Sequence, residues 1–254
     1  MTLELFDRRW TTYRRVLNHD LMEHQAVSQA SEAAIRAWLA ERPASAPAPR
    51  MVDLGCGDLA LLVPLLRQLP LADYVGLDLS ASVLERAAAA LGPVAYPCRW
   101  IEGDLLDWAC EDPAAGGGAP ESDRVDLIHT AFAVHHLDDA GKQAFLRGCL
   151  ARLAPDGLLL WADVFRPDGE PHSNYIQRYV QRVWQSWHPL NEEERQSVVN
   201  HLSDFDLPAE REAIVATARA IGWDWQWLWQ GSHDAEAVAA LRPQERSRAS
   251  ASGS

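Results

Sequence analysis

Three features that would each point to a class of function are scarce in this chain. Basic residues are the first: Lys plus Arg number 23 against 36 Asp plus Glu, a formal net charge of −13. A broad positive surface able to neutralise phosphate backbones or anionic lipid headgroups is therefore not expected, and neither is a nucleic-acid or membrane partner. Cysteine is the second. Cys56, Cys98, Cys110 and Cys149 form no CxxC pair and show no metal-ligand spacing. A disulfide scaffold is excluded, no metal site is expected, and reduced thiols suit a cytoplasmic protein. The third is uninterrupted apolar sequence. The best run, residues 59–66, is broken by Pro64 and is far shorter than the roughly 20 residues a membrane-spanning helix needs. The opening segment MTLELFDRRW is charged and aromatic rather than an apolar signal core. What the chain does have is 254 residues with 48% hydrophobic content, enough for one generous α/β domain with a sizeable core.

Along residues 3–39 the apolar and aromatic positions Phe6, Trp10, Tyr13 and Leu17, then Leu21, Val27, Ile35 and Trp38, recur at helical spacing, predicting two helices broken near residues 18–20. The proline-rich stretch RPASAPAPR at 42–50 reads as a stiff linker. Beyond it, short continuous apolar runs at 51–54, 74–77, 100–102, 125–130 and 157–164 alternate with helical patterns at 59–68, 80–91 and 140–153. This alternation predicts a parallel sheet covered on both faces, the doubly wound plan. The Gly/Ala/Pro segment 112–120 reads as a loose surface excursion. Residues 165–208 are mostly helical in pattern and rich in aromatics and acids, the form of an insertion that closes over a site as a lid. A helix over 209–221, a strand at 223–230 and a weaker strand at 237–241 finish the pattern before a polar tail over 244–254. The expected organisation is thus an N-terminal helical cap (1–41), the linker, a core (51–164), the lid segment, and a closing helix and hairpin (209–243).

The segment MVDLGCGDLA at 51–60 carries the chemistry: an apolar strand, Asp53 two residues before Gly55, then Gly55, Cys56 and Gly57 opening a helix. Glycines there let the backbone turn sharply and approach a ligand closely, with helix N-terminal amides facing it. The G-x-G-x-x-A spacing fits a dinucleotide site equally well. Asp78 closes the second strand, where a carboxylate can accept the hydroxyls of a ribose on either reading. Asp104 closes the third, and the strand VDLIHTAFAVHHL at 125–137 ends in a small, His-containing turn. Four strand ends aim polar groups at one crevice.

In this order the pieces resemble the class I S-adenosylmethionine-dependent methyltransferases: Asp53-Leu-Gly55-Cys-Gly57, Asp78, Gly103-Asp104, VDLIHTAFAVHHL, and Leu153-Ala-Pro-Asp-Gly157 before the fifth strand. The resemblance covers about 51–164. It implies a seven-stranded, mostly parallel sheet with a final antiparallel hairpin and S-adenosylmethionine as cofactor. By the same implication Asp53, Gly55, Cys56 and Gly57 hold the methionine part, Asp78 and Leu79 the ribose, and Asp104 with Leu105 the adenine, while Thr130 and Ala131 flank the sulfonium. Asp58 stands where many members carry a small residue. An NAD-dependent oxidoreductase shares the glycine turn and Asp78 but does not account for Asp104 and the later matches. A non-catalytic S-adenosylmethionine-binding module is the second alternative.

On the acceptor side the resemblance sets His135 against the transferred methyl, where an imidazole could orient or deprotonate a nucleophile. His136, Asp163, Tyr175, Tyr179 and Trp184 are the candidate substrate contacts, each with packing as the simpler role. Trp223, Trp225, Trp227 and Trp229 alternate with polar or aliphatic residues, so all four indoles are expected on one face of a strand, as core. With no basic surface or recognition domain, the expected acceptor is a small molecule.

Overall fold

The structure is a computed structural model that describes residues 3–111 and 124–244. The expected excursion at 112–120 and the tail beyond 244 lie outside the described residues.

The aliphatic runs form β1 (Arg50–Leu54), β2 (Asp73–Asp78), β3 (Cys98–Glu102), β4 (Val125–Ala131) and β5 (Leu153–Arg166), followed by the two-residue β6 (Ala209–Glu210), β7 (Trp223–Gln230) and β8 (Glu236–Pro243). The strands lie in the order β3-β2-β1-β4-β5-β8-β7, with β6 added beside β5. The first five run parallel to one another, whereas β8 is antiparallel to both β5 and β7. The strand order reverses between β1 and β4, so the loops after these two strands part and leave a crevice at their carboxyl ends.

Alternate residues of the strands feed two apolar layers. Val52, Leu54 and Ile128 meet Phe145, Leu146 and Cys149 of α6 (Asp139–Arg152), Ala109 of α5 (Leu105–Cys110), and Ile214 and Ala218 of α9 (Arg211–Ile221). Met51, Tyr74 and Leu127 meet the opposite layer. That layer comprises Val27, Ile35 and Trp38 of α2 (His24–Glu41), Leu65 and Leu66 of α3 (Val63–Leu66), and Leu84, Ala87 and Leu91 of α4 (Ala81–Leu91). A third cluster sits beyond the strand ends: Val16 of α1 (Leu3–Asn18), Tyr175, Tyr179 and Val183 of α7 (His172–Ser186), and Leu202 of α8 (Glu192–Phe205). The two N-terminal helices meet at residues 19–23, as their periodicity predicts. Among the described residues no helix is long and apolar enough to cross a membrane.

Two local expectations fail for physical reasons. The helix expected over 59–68 shrinks to the single turn α3. Asp58 accepts the Ala60 N–H at 3.1 Å and Leu59 adopts a left-handed φ of 61°, so the chain turns locally instead of entering a helix. The four indoles of β7 do not share one face. The register of β7 against β8 shifts between Trp227 and Trp229. Trp223, Trp225 and Trp227 join the layer of α6 and α9, while Trp229 packs in the layer of α2. A one-residue bulge sends the next side chain to the other face.

Candidate functional site

The crevice after β1 and β4 is roofed by α1, α2 and α8, giving one cavity of about 760 Å³, within the ordinary range of ligand sites. Its inner end is made by the turn after β1. Gly55 and Gly57 take left-handed φ values of 71° and 56°, which glycine adopts without the penalty an L side chain carries. A Cβ on Gly55 would also fall 2.6 Å from the Ala133 Cβ. The Gly55 and Cys56 N–H groups donate to the Leu77 carbonyl at 2.8 and 2.9 Å, locking the turn onto β2. Burial pushes the Cys56 thiol up, so it stays protonated and its contribution is shape.

Asp78 at the end of β2 accepts the Gly57 N–H through Oδ2 and the Ser80 N–H through Oδ1, both at 3.0 Å. Its burial raises the carboxyl above the ordinary range, partly offset by these N–H groups. Two of its roughly four acceptor positions are used, leaving capacity for ligand hydroxyls. Leu79 stands beside it at the rim, 70% exposed. Asp104 caps α5, accepting the Leu106 N–H at 2.6 Å and the Asp107 N–H at 3.3 Å through Oδ1. Leu105 and Ala131 also line the cavity.

Asp53 reaches the cavity wall, but both its oxygens are committed to the protein: Oδ1 lies 2.7 Å from His129 Nδ1 and Oδ2 accepts the Tyr74 hydroxyl at 3.0 Å. Asp53 and His129 face each other in the β1–β4 register, so the carboxylate braces the strands on either side of the crevice. Asp58, unexpected from the family pattern, accepts Arg14 Nη1 at 2.9 Å and the Tyr13 hydroxyl at 3.5 Å. It thereby ties α1 over the glycine turn.

At the outer end β4 leads through Phe132, held at a φ of 53°, to a 3₁₀ turn at Val134–His136. Asp163 on β5 grips this turn twice, accepting the His135 N–H at 3.0 Å and facing His135 Nδ1 at 2.6 Å. Its remaining partners are the Trp161 indole N–H at 3.0 Å and the Val164 N–H at 2.9 Å. Burial works against charge on both members. The mutual attraction prevails, joined at His135 by the nearby Asp206 and at Asp163 by its N–H donors, holding the His135 imidazole above and the Asp163 carboxyl below their usual values. His135 Nε2 lies 3.6 Å from Asp206 Oδ1. Asp206 is 4% exposed, and burial pushes its carboxyl up to about 6. His136 Nδ1 and His201 Nε2 lie 3.8 Å from the same oxygen. Burial lowers His136 to about 4, with His135 as the next cause. The segment after α8 is pinned in place by the Leu207 N–H donating to the His135 carbonyl at 2.8 Å, and by the buried Lys142 ammonium donating to the Leu137 and Leu207 carbonyls.

The cavity thus brings together Asp53, Gly55, Cys56, Gly57, Asp78, Leu79, Asp104, Leu105, Ala131, His135, His136 and Tyr179. Four sequence candidates stand apart. Thr130 is fully buried on the Ile128 side of β4. Asp163 acts on His135 from behind. Tyr175 is enclosed in the third cluster, and Trp184 lies under the Arg195 guanidinium, 5.3 Å from its ring centroid. Asp206, His129, His24 and Phe132 belong to the site without having been read as such. His129 and Phe132 stand within the matched segment 125–137, but Asp206 is one acid among 36 Asp and Glu, and only tertiary folding brings it to His135.

Comparison with known proteins gives a consistent result. A family model described as a methyltransferase domain matches residues 52–159. The trans-aconitate 2-methyltransferase of Pseudomonas aeruginosa (strain UCBPP-PA14) is 34% identical over 110 residues, 43% of this chain and 34% of that protein. An uncharacterised methyltransferase of Synechocystis sp. is 29% identical over 150 residues, 59% of this chain and 57% of its own. The match therefore spans about a third to three fifths of these relatives' length. Among solved structures, the plantazolicin methyltransferase BpumL in complex with SAH superposes with a TM-score of 0.60 at 13% identity, covering 94% of this chain and 90% of that one.

Proposed function

From a core that belongs to the class I S-adenosylmethionine-dependent methyltransferases, we propose that this protein transfers a methyl group to a nitrogen or oxygen of a small molecule by in-line displacement. The observation that carries the reading is the continuity of one cavity. It joins the Gly55–Gly57 turn, Asp78 and Asp104 at one end to His135, His136 and Asp206 at the other. The spare acceptor capacity of Asp78 and the close backbone approach permitted by Gly55 and Gly57 suit a ribose and an amino-acid moiety. S-adenosylmethionine, when bound, supplies an electrophilic methyl on a sulfonium. Asp78 with Leu79 would hold its ribose, Asp104 with Leu105 its adenine, and the turn from Asp53 to Gly57 its methionine part.

The chain's own contribution at the acceptor end is placement. Asp163 fixes the His135 ring by its Nδ1 side, so that Nε2 is the atom turned toward an acceptor hydroxyl or amine. Tyr179 and Trp187 line the wall beneath α7, and Val198, His201 and Phe205 of α8 cover the outer end as a lid. The acceptor itself differs from that named for the trans-aconitate relatives. Among the described lining residues there is no Lys or Arg to meet three carboxylates, and two of the side chains at this end, Asp204 and Asp206, are acidic. An amine or hydroxyl acceptor fits this surface; a polyanion does not.

Calorimetric titration with S-adenosylhomocysteine and NAD tests the cofactor assignment. Binding of the first, weakened about 10- to 150-fold in Asp78→Ala, is expected; that range follows from the roughly 1.5 to 3 kcal/mol carried by hydrogen bonds to a charged group. Binding of NAD alone, or an unchanged affinity in the variant, refutes it.

A further inference from the structure

Asp206 Oδ1 is buried, has no hydrogen-bond partner, and lines the cavity. Three imidazole nitrogens surround it at 3.6, 3.8 and 3.8 Å, those of His135, His136 and His201. All three lie beyond hydrogen-bonding range of Asp206, and His136 Nδ1 faces the Phe205 carbonyl at 3.3 Å instead. An unmade hydrogen bond at a buried carboxylate is destabilising, and a fold that pins Asp206 from both sides leaves that cost in place. The spacing has a simpler reading. Two donor atoms bound at about 2.1 Å to one tetrahedral ion stand about 3.4 Å apart, close to the 3.6 Å between His135 Nε2 and Asp206 Oδ1. One donor atom each from His135, His136 and Asp206 lie together within 4.8 Å.

We infer that His135, His136 and Asp206 form a site for one divalent first-row transition-metal ion at the acceptor end of the cavity. The contact behind His135 supports this. A metal-ligating histidine characteristically donates its other ring N–H to a carboxylate that sets its tautomer and orientation, and Asp163 stands in that place at 2.6 Å. The donor set of two imidazoles and one carboxylate suits Zn²⁺, Fe²⁺ or Co²⁺ and is poorly matched to Mg²⁺ or Ca²⁺, which take oxygen ligands. Three protein ligands leave a coordination position facing the cavity, as in catalytic rather than structural sites. An acceptor with a hydroxyl or amine donor would occupy it. The sequence conceals the set: two adjacent histidines and an acid seventy positions later match no ligand spacing.

The site stands apart from the cofactor assignment, and its test does not use activity. Tag-free full chain stripped with chelator is titrated with Co²⁺ and followed by visible absorption. The expected result is saturation at one ion per chain with ligand-field bands. In Asp206→Asn and in His136→Gln the affinity should fall at least tenfold, with circular dichroism and S-adenosylhomocysteine binding unchanged. Zn²⁺ should displace the Co²⁺ spectrum stoichiometrically. Absence of ligand-field bands, or equal affinity in both variants, overturns the site and leaves His135 Nε2 free to act on protons. Loss of S-adenosylhomocysteine binding in the parent would overturn the methyltransferase reading without touching the metal result.

Discussion

Replacing Arg182 by methionine strikes the contact that fastens α7 to the sheet. Glu236 on β8 is fully buried, and its Oε1 receives Arg182 Nη1 at 2.7 Å and the Tyr179 hydroxyl at 2.8 Å. Oε2 has no partner. The same guanidinium donates through Nη2 to the Leu21 carbonyl at 2.8 Å and lies 5.1 Å from the Tyr179 ring centroid. Arg182 therefore joins three elements: α7, β8 and the link between α1 and α2. Removing one member of a buried pair strands the other charge, a loss of about 3 to 5 kcal/mol. For a chain of this size each kcal/mol lowers the melting temperature by roughly 2 to 4 °C. Arg182→Met should thus melt about 6 to 20 °C below the parent in differential scanning calorimetry. Adding Glu236→Gln to Arg182→Met removes the stranded charge and should recover at least half of the deficit. A drop below 2 °C in the single variant, or a double variant no better than the single one, would refute the argument that burial of an uncompensated carboxylate dominates here.

Further outcomes follow from other contacts. A Cβ on Gly148 of α6 would sit 2.1 Å from the Ala109 carbonyl oxygen of α5. Gly148→Ala should therefore force the two helices apart and cost about 1 to 3 kcal/mol, seen as a lower urea midpoint; an unchanged midpoint would show that α5 yields freely. His24 is buried against Phe132, ring centroids 5.1 Å apart. Burial lowers its imidazole to about 4; Asp20 opposes this shift and Arg182 adds to it. Because the folded value lies below the unfolded value of about 6.5, the neutral ring's stability is complete above that pH and is lost as pH falls toward 4. The total is on the order of 3 kcal/mol. Urea unfolding of the parent at pH 7 and pH 4.5, compared with His24→Leu, should show a steeper acid loss in the parent, and parallel losses would refute it.

The parts of the site that the sequence discloses are those set by short-range geometry. Strand ends, the two glycines with left-handed φ, and the acids Asp78 and Asp104 follow each other at fixed intervals and land where a doubly wound sheet puts them. The layers are equally legible from alternation within each strand. What escapes is set by contacts across the chain. The helix after Gly57 fails because Asp58 answers to Ala60 and to Arg14 of α1, a partner 44 positions away. Tyr175 and Tyr179 share a helical face as their spacing predicts, yet one is sealed into a cluster and the other reaches the cavity. Asp206 becomes part of the site because Leu207 bonds to the His135 turn and Lys142 and His172 hold the backbone on either side.

The shifted register of β7 also bears on how the chain matures as it is made. Its indoles complete both apolar layers, three on one side and Trp229 on the other, and β8 lies between β7 and β5. A growing chain that has reached the end of α9 holds every residue named above at the glycine-turn end of the cavity. It still lacks the strands that seal either layer. The ligand-facing half of the molecule is thus written early and made durable late. A stop within residues 223–243 would deliver an open sheet edge and two unfinished layers, a substrate for degradation rather than a shortened enzyme.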